Sequence, residues 1–277
     1  MMPSTMMDAP RAGPRVALGG AATTPLLEVR NLSVRFGGIF ALQDVSFTIS
    51  SGQIVGLIGP NGAGKTSLFN CLSRLYRPSA GEILFDGKSL LALPRHKIAG
   101  LGLGRTFQNV ALFDQMTVEA NVLVGGHVAA RAGFIAAAFK PASARQEETQ
   151  LRQRASELIA FMDLERYRRD RAGGLPFPIR KRIELARALM TRPRLLLLDE
   201  PAAGLNHEEV ENLKSQIQRV RKHYDVTVLL VEHHMNLVMS ISDKIVAINF
   251  GRKIADGPPA EVRNEPAVIQ AYLGSET

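Results

Sequence analysis

The sequence predicts an α/β fold organised on a mainly parallel sheet, on three observations. Short, continuously apolar runs at Ile54-Val-Gly-Leu-Ile58 and Leu195-Leu-Leu-Leu198 have the composition of strands covered on both faces. Amphipathic segments alternate with such runs, and that alternation implies parallel strands joined by helices. The glycine-rich run Gly59-Pro-Asn-Gly-Ala-Gly-Lys-Thr66 lies between one of these strands and a helix-like segment.

The elements follow in order. Residues 1–25 are rich in Ala, Gly, Pro and Met and read as a disordered tail or as the product of an upstream start. Val16-Ala-Leu-Gly-Gly-Ala-Ala22 behind Arg11 and Arg15 is too short and glycine-broken to read as an export signal. Leu26–Phe36 and Val45–Ile49 alternate apolar and polar residues, as half-buried strands do. Lys65–Leu75 is expected to be helical. Gln146–Met162 sets Leu151, Ala155, Leu158, Ile159 and Met162 on one helical face. Arginines crowd 166–182, within a mostly helical, basic middle third. His207–Tyr224 places Val210, Leu213, Ile217 and Val220 inward. Asn206 is a candidate N-cap with Glu209 completing a capping box. Val226–Val231 and Lys244–Asn249 are further strands.

The 277-residue chain is 45% apolar and 22% charged, ordinary for a globular protein. No run of 18 apolar residues exists to cross a membrane. The single Cys71 excludes an intrachain disulfide and is expected to be a small buried side chain. A net charge of +8 suits nucleic acid, an anionic membrane surface or phosphate ligands, without choosing among them.

Gly59–Thr66 satisfies G-x-x-x-x-G-K-[ST] in the strand-to-helix context that pattern requires. Glycines let several backbone N–H groups converge on one anion, and the helix N-terminus adds positive potential. Lys65 is then expected at the β- and γ-phosphates of ATP, with the Thr66 hydroxyl on Mg²⁺. Gly59, Pro60, Asn61, Gly62, Ala63, Gly64 and Ser67 complete the nucleotide-binding set. Asp199 ends an apolar strand, where a buried carboxylate calls for a cation, and Mg²⁺ is the expected one. Glu200 follows at once and can orient or deprotonate a water.

With these residues in place, the chain resembles the nucleotide-binding subunit of ABC transporters from about Leu26 to Gly274. The resemblance implies a P-loop NTPase fold with a RecA-like sheet, an antiparallel β subdomain and an inserted helical subdomain at about 109–190, within one cassette at 26–277. It assigns Phe36 to adenine stacking, Gln108 to sensing Mg²⁺ and permease, Ala203-Gly-Leu-Asn206 to the D-loop, and His233 to the γ-phosphate. Gly102-Leu-Gly-Arg-Thr-Phe-Gln-Asn-Val110, Asp199-Glu-Pro-Ala-Ala-Gly-Leu-Asn206 and Ile269-Gln-Ala-Tyr-Leu-Gly274 look like the branched-chain amino-acid (LivG-like) importers. The implied setting is the cytoplasmic face of the inner membrane. The implied partners are a second cassette, transmembrane permease subunits and, indirectly, a periplasmic binding protein, with no nucleic acid. Leu112 and Phe113 read equally as permease contacts or core. His234, beside His233, is expected to point away from it, which weakens a two-histidine metal reading.

One motif departs from the family. Where the family carries L-S-G-G-Q to cover the partner site's γ-phosphate, this chain has Leu175-Pro-Phe-Pro-Ile179. Pro176 lacks a hydroxyl, Pro178 lacks an N–H and Phe177 adds bulk. Three readings stay open: an asymmetric pair in which a partner supplies the intact motif, charge substitution by Arg180, Lys181 and Arg182, or an impaired subunit. The bland reading of that cation run is a solvated helix face. Other classes also remain: a cassette for another amino acid, an amide or urea, an exporter, a soluble ATPase acting on nucleic acid or ribosomes, or a regulatory module that holds ATP without hydrolysing it.

Overall fold

The computed structural model describes residues 24–106, 110–128 and 142–273. The tail expected at 1–25 therefore lies almost wholly outside the described residues. The chain runs through β1 (Leu27–Phe36), β2 (Ile39–Ile49), β3 (Ile54–Ile58), α1 (Lys65–Leu72), β4 (Ala80–Phe85), β5 (Lys88–Ser89) and β6 (Leu103–Arg105). The helices α2 (Val118–Val124), α3 (Ala142–Phe161) and α4 (Phe177–Leu189) come next. Then come β7 (Leu195–Asp199), α5 (His207–Tyr224), β8 (Thr227–Val231), α6 (Met235–Ile241), β9 (Lys244–Asn249), β10 (Arg252–Gly257), α7 (Pro259–Arg263) and α8 (Pro266–Leu273).

Two sheets form. An antiparallel one has the order β2-β1-β4-β5, and a six-stranded one the order β10-β9-β3-β8-β7-β6. Within the larger sheet all neighbours are parallel except β10 against β9. The continuously apolar strands sit at its centre because each separates two cores. Val55, Leu57, Leu195 and Leu197 face Leu27, Phe47 and Phe69. Ile54, Ile58, Leu196 and Leu198 face Ile217, Val220 and Leu237 on the helical side. The second core continues into α2, α3 and α4 through Val118, Val122, Ala155, Leu158, Ile159 and Ile183.

Several expected elements match residue for residue: β3, α5 and β9. The capping box at Asn206 is present, Asn206 Oδ1 accepting from Glu209 N at 3.0 Å and Glu209 Oε2 from Asn206 N at 2.8 Å. Cys71 is buried, and burial pushes its thiol up to about 11. Others need correction. β2 begins at Ile39, not Val45, because Asp44 takes a left-handed φ of 56° and breaks the alternation. Asn31, also left-handed, donates Nδ2 to Asp44 Oδ1 at 2.6 Å, so paired irregularities hide one long hairpin. α1 stops at Leu72 rather than Leu75, because Arg74 turns left-handed and Leu75 N and Tyr76 N both return to Asn70 O. β6, three residues including Gly104, was too short to show in the pattern.

Candidate functional site

The phosphate-loop sequence forms the turn between β3 and α1. Ala63 N donates to Pro60 O at 3.2 Å and Leu68 N to Gly64 O at 3.0 Å, so the loop closes directly into the helix. The first turn of α1 carries no acid to oppose an anion. Gly64, at φ 107°, lies against β2: a Cβ there would meet Ala41 O at 2.4 Å. The Lys65 ammonium donates to Gly59 O at 2.7 Å and Pro60 O at 2.9 Å and is 5% exposed. Burial lowers its pKa, against the opposing pull of Glu200 and Asp199.

Asn61, Gly62, Ala63, Gly64, Lys65, Thr66 and Ser67 line one opening of about 190 Å³, and Glu200 and His233 line it too. These residues come from four elements, and the sheet brings them together by ending β7 and β8 beside the loop. Glu200 leaves β7 with φ 47°, its N–H donating to Val231 O at 2.9 Å. This turns its side chain to His233, with Oε1 2.6 Å from Nε2. His234 instead forms the N-cap position of α6. Phe36 lies on the β1–β2 hairpin, whose Ala41 borders the opening; its ring is half-exposed with an edge on Tyr76 at 5.3 Å. Gln108 lies outside the described residues.

Asp199 is buried, as expected, and the cation beside it is a guanidinium. Arg105 Nη2 donates to Asp199 Oδ2 at 2.9 Å. Burial raises the Asp199 pKa and the Arg105 guanidinium pulls it back down. A hydroxyl on α1 and this carboxylate are hard oxygen donors of the kind Mg²⁺ takes. The chemistry of the donor set therefore fits the ion.

Two residues escape the sequence reading, and a third is buried against expectation. Arg105 is the first. Glu232, 1% exposed at the end of β8, accepts from Ala202 N and, at 3.0 Å, from His233 N, and so joins the β7 and β8 turns. Its signal was an acid directly after a buried strand, the same pattern that marked Asp199. Lys181 is the third. The expectation of a solvated cation run fails there: Lys181 is buried, with Nζ 3.4 Å from Glu200 O and 5.2 Å from the Phe177 ring centre. Burial lowers its pKa. Lys181, Glu184, Leu185 and Ala188 follow i, i+3, i+4, i+7 spacing, which could have placed it on the buried face. Arg180 donates to Asp114 Oδ1 at 2.8 Å.

At 175–179 the departure from the family is structural as well. Pro176 is the N-cap of α4 and offers no side-chain bond. Ile179 N and Arg180 N both donate to Pro176 O, at 3.0 and 3.1 Å, and Pro178 has no N–H. Ile179 is buried in the core, and the Phe177 ring packs on Gly204. Upstream, Asn121 is fully buried and knots the preceding loop. Its Oδ1 accepts from Phe113 N at 2.9 Å, and its Nδ2 donates to Phe113 O, Met116 O and Thr117 O. Leu112 packs on the core while Phe113 is 50% exposed, so the two residues that read alike in sequence part company.

Comparison with known proteins agrees with this geometry. The family model described as ABC transporter matches residues 42–203, and that described as branched-chain amino acid ATP-binding cassette transporter matches residues 252–277. The chain is 48% identical over 250 residues to the high-affinity branched-chain amino acid transport ATP-binding protein BraF of Pseudomonas aeruginosa, covering 90% of this chain and 98% of that protein. It is 44% identical over 250 residues to LivG of Escherichia coli, described in the same words, with the same coverage. Among solved structures, the ADP conformation of MJ1267, an ATP-binding cassette of an ABC transporter, superposes with a TM-score of 0.78 at 27% identity, over 91% of this chain and 100% of that one.

Proposed function

We propose, because this chain belongs to the ABC transporters as an ATP-binding ATPase subunit of the branched-chain amino-acid group, that it energises import of branched-chain amino acids. It would work at the cytoplasmic face of the inner membrane, docked on permease subunits that receive substrate from a periplasmic binding protein. The names of the 48% and 44% identical relatives support that substrate class. Among the described residues no helix is long and apolar enough to cross a membrane, so the spanning path falls to other subunits.

One observation carries the catalytic reading: the Glu200 carboxylate and the His233 ring meet at 2.6 Å on the rim of the phosphate loop. Glu200 polarises the attacking water and takes its proton, while His233 holds Glu200 and the γ-phosphate in register. Lys65 takes up charge developing on the β- and γ-oxygens. When bound, Mg²⁺ neutralises charge on those oxygens; Thr66 and Asp199 are the residues that would hold it, with Gln108. Phe36 stacks on adenine. The domain reading is one cassette at 26–277, with a helical subdomain at about 109–190 that meets the permease.

The cassette pairs with a second one, and a second reading concerns that pairing. Pro176 brings no hydroxyl and Pro178 no N–H to the first turn of α4, where Ile179 N and Arg180 N make only the ordinary opening bonds of a helix to Pro176 O. Hydrogen bonds to a charged group contribute about 1.5–3 kcal/mol each, so a γ-phosphate clamp lacking two of them is weak. Lys181 and Arg180 are already engaged elsewhere, which disfavours replacement by charge. The pair is therefore asymmetric: this chain supplies the phosphate loop, Glu200 and His233, and a different cassette supplies the intact covering motif. Steady-state ATP hydrolysis by the chain alone and mixed with an intact-motif cassette tests both parts. Slow turnover alone and faster turnover in the mixture are expected. Equal turnover removes the asymmetry, and absence of ATP binding in either sample removes the catalytic reading.

A further inference from the structure

Arg105 touches three elements at once. It extends from β6, and Nη2 meets Asp199 Oδ2 at the end of β7 at 2.9 Å. Nη1 meets Asn70 Oδ1 and Ser73 Oγ, each at 2.9 Å, and Phe69 O at 3.5 Å, all at the C-terminal end of α1. Its guanidinium also lies 5.7 Å from the Phe69 ring centre. Side-chain exposures of 12% for Arg105 and 6% for Asp199 leave little water to loosen the pair. A planar fork with donors on both nitrogens can hold two elements at a fixed separation, which a lysine ammonium on a flexible stem cannot.

Helix α1 begins with Lys65 and Thr66 and ends on Arg105. Thr66 and Asp199, the two described candidate ligands of Mg²⁺, therefore sit on different elements that the guanidinium joins. Mg²⁺ tolerates little departure from octahedral geometry at its short ligand distances, so the spacing of its ligands governs how well it is held.

We propose that Arg105 is a positioning residue: a strut between α1 and β7 that sets the separation of Thr66 and Asp199 and thereby the Mg²⁺ requirement of nucleotide binding. The proposal rests on the reading of Asp199 as a Mg²⁺ ligand. It acts through spacing and not through charge alone, and this distinguishes it from simple neutralisation of a buried carboxylate.

The test is binding of a fluorescent trinitrophenyl-ATP to the purified full chain, in EDTA and across a Mg²⁺ titration. For Arg105→Met, affinity in EDTA stays within about twofold of the parent, since the phosphate loop is untouched, while the Mg²⁺ midpoint rises at least about tenfold. Arg105→Lys keeps the charge but not the fork, and its midpoint stays close to that of Arg105→Met. The double change Asn70→Leu with Ser73→Ala frees the α1 end of the strut with Arg105 and Asp199 both present, and also raises the midpoint. This variant decides the matter if Arg105→Met does not fold. An unchanged midpoint in these variants, full rescue by lysine, or equal loss with and without Mg²⁺ overturns the strut. A parent chain that binds the nucleotide with no Mg²⁺ dependence removes the metal reading of Asp199 and the strut with it; a parent chain that does not bind it at all removes the catalytic site.

Discussion

Two alanine substitutions in the phosphate loop should separate folding from binding. Gly62 and Gly64 both have positive φ, 79° and 107°. Either alanine incurs the left-handed penalty of about 1–2 kcal/mol. They differ in space. A Cβ on Gly62 meets nothing within 4 Å, whereas one on Gly64 meets Ala41 O at 2.4 Å and Leu42 Cδ2 at 2.8 Å. The obstacle at Gly64 is the backbone of β2, which Gln43 N also ties to Gly251 O at 2.8 Å, so it cannot swing aside as a side-chain tip would. Forced repacking of that kind adds about 1–3 kcal/mol. At roughly 2–4 °C per kcal/mol for a chain of this size, Gly64→Ala should lower Tm by roughly 4–20 °C and Gly62→Ala by roughly 2–8 °C. The methyl of Gly62→Ala projects at the opening that Gly62 lines, so the rise in Tm on adding ATP should shrink there with little loss of intrinsic stability. Thermal melts with and without nucleotide decide it. A Gly64→Ala chain as stable as Gly62→Ala would falsify the packing argument.

Glu200→Gln keeps shape and a partner for His233 but removes the proton acceptor; turnover should fall about 10²–10⁴-fold with ATP affinity nearly unchanged, and persistent hydrolysis in a single-turnover assay takes Glu200 out of that role. The Cys71 thiol, buried and raised to about 11, should be about 0.1% thiolate at pH 8 and resist a maleimide until the chain is denatured; stoichiometric labelling of the native chain contradicts its burial. Asn206→Ala breaks the bond from Glu209 N and should cost about 1 kcal/mol in urea denaturation, and an unchanged midpoint means the capping box holds nothing.

What was legible in the sequence was local. The phosphate loop, the alternation of α5 and the capping box at Asn206 are each written in a few adjacent residues, and each formed as read. What stayed hidden was pairing across distance. Arg105 and Asp199 lie 94 residues apart in sequence, and nothing near either names the other. Asp199 reads in sequence as needing a cation and points to Mg²⁺, and only the fold reveals that a guanidinium stands beside it. β2 was half-missed because Asn31 and Asp44 interrupt two strands at matching places, which destroys the period while preserving the hairpin. Lys181 was misread because charge was weighed above position: its helical register says inside, and the register prevails.

The knot around Asn121 has a mechanical consequence. The loop it holds is stitched to the segment leading into α4, through Val118 N to Asp170 O, Ala172 N to Met116 O and Gly173 N to Asp114 O, each at 3.0 Å. A push on the outward ring of Phe113 would meet the Asn121 amide and these backbone bonds before any slack turn. Those bonds end on the segment that enters α4 at Pro176 and Phe177. The stiffness of that short lever, more than any atom at the phosphates, would decide how faithfully movement at one surface of the protein is felt at another.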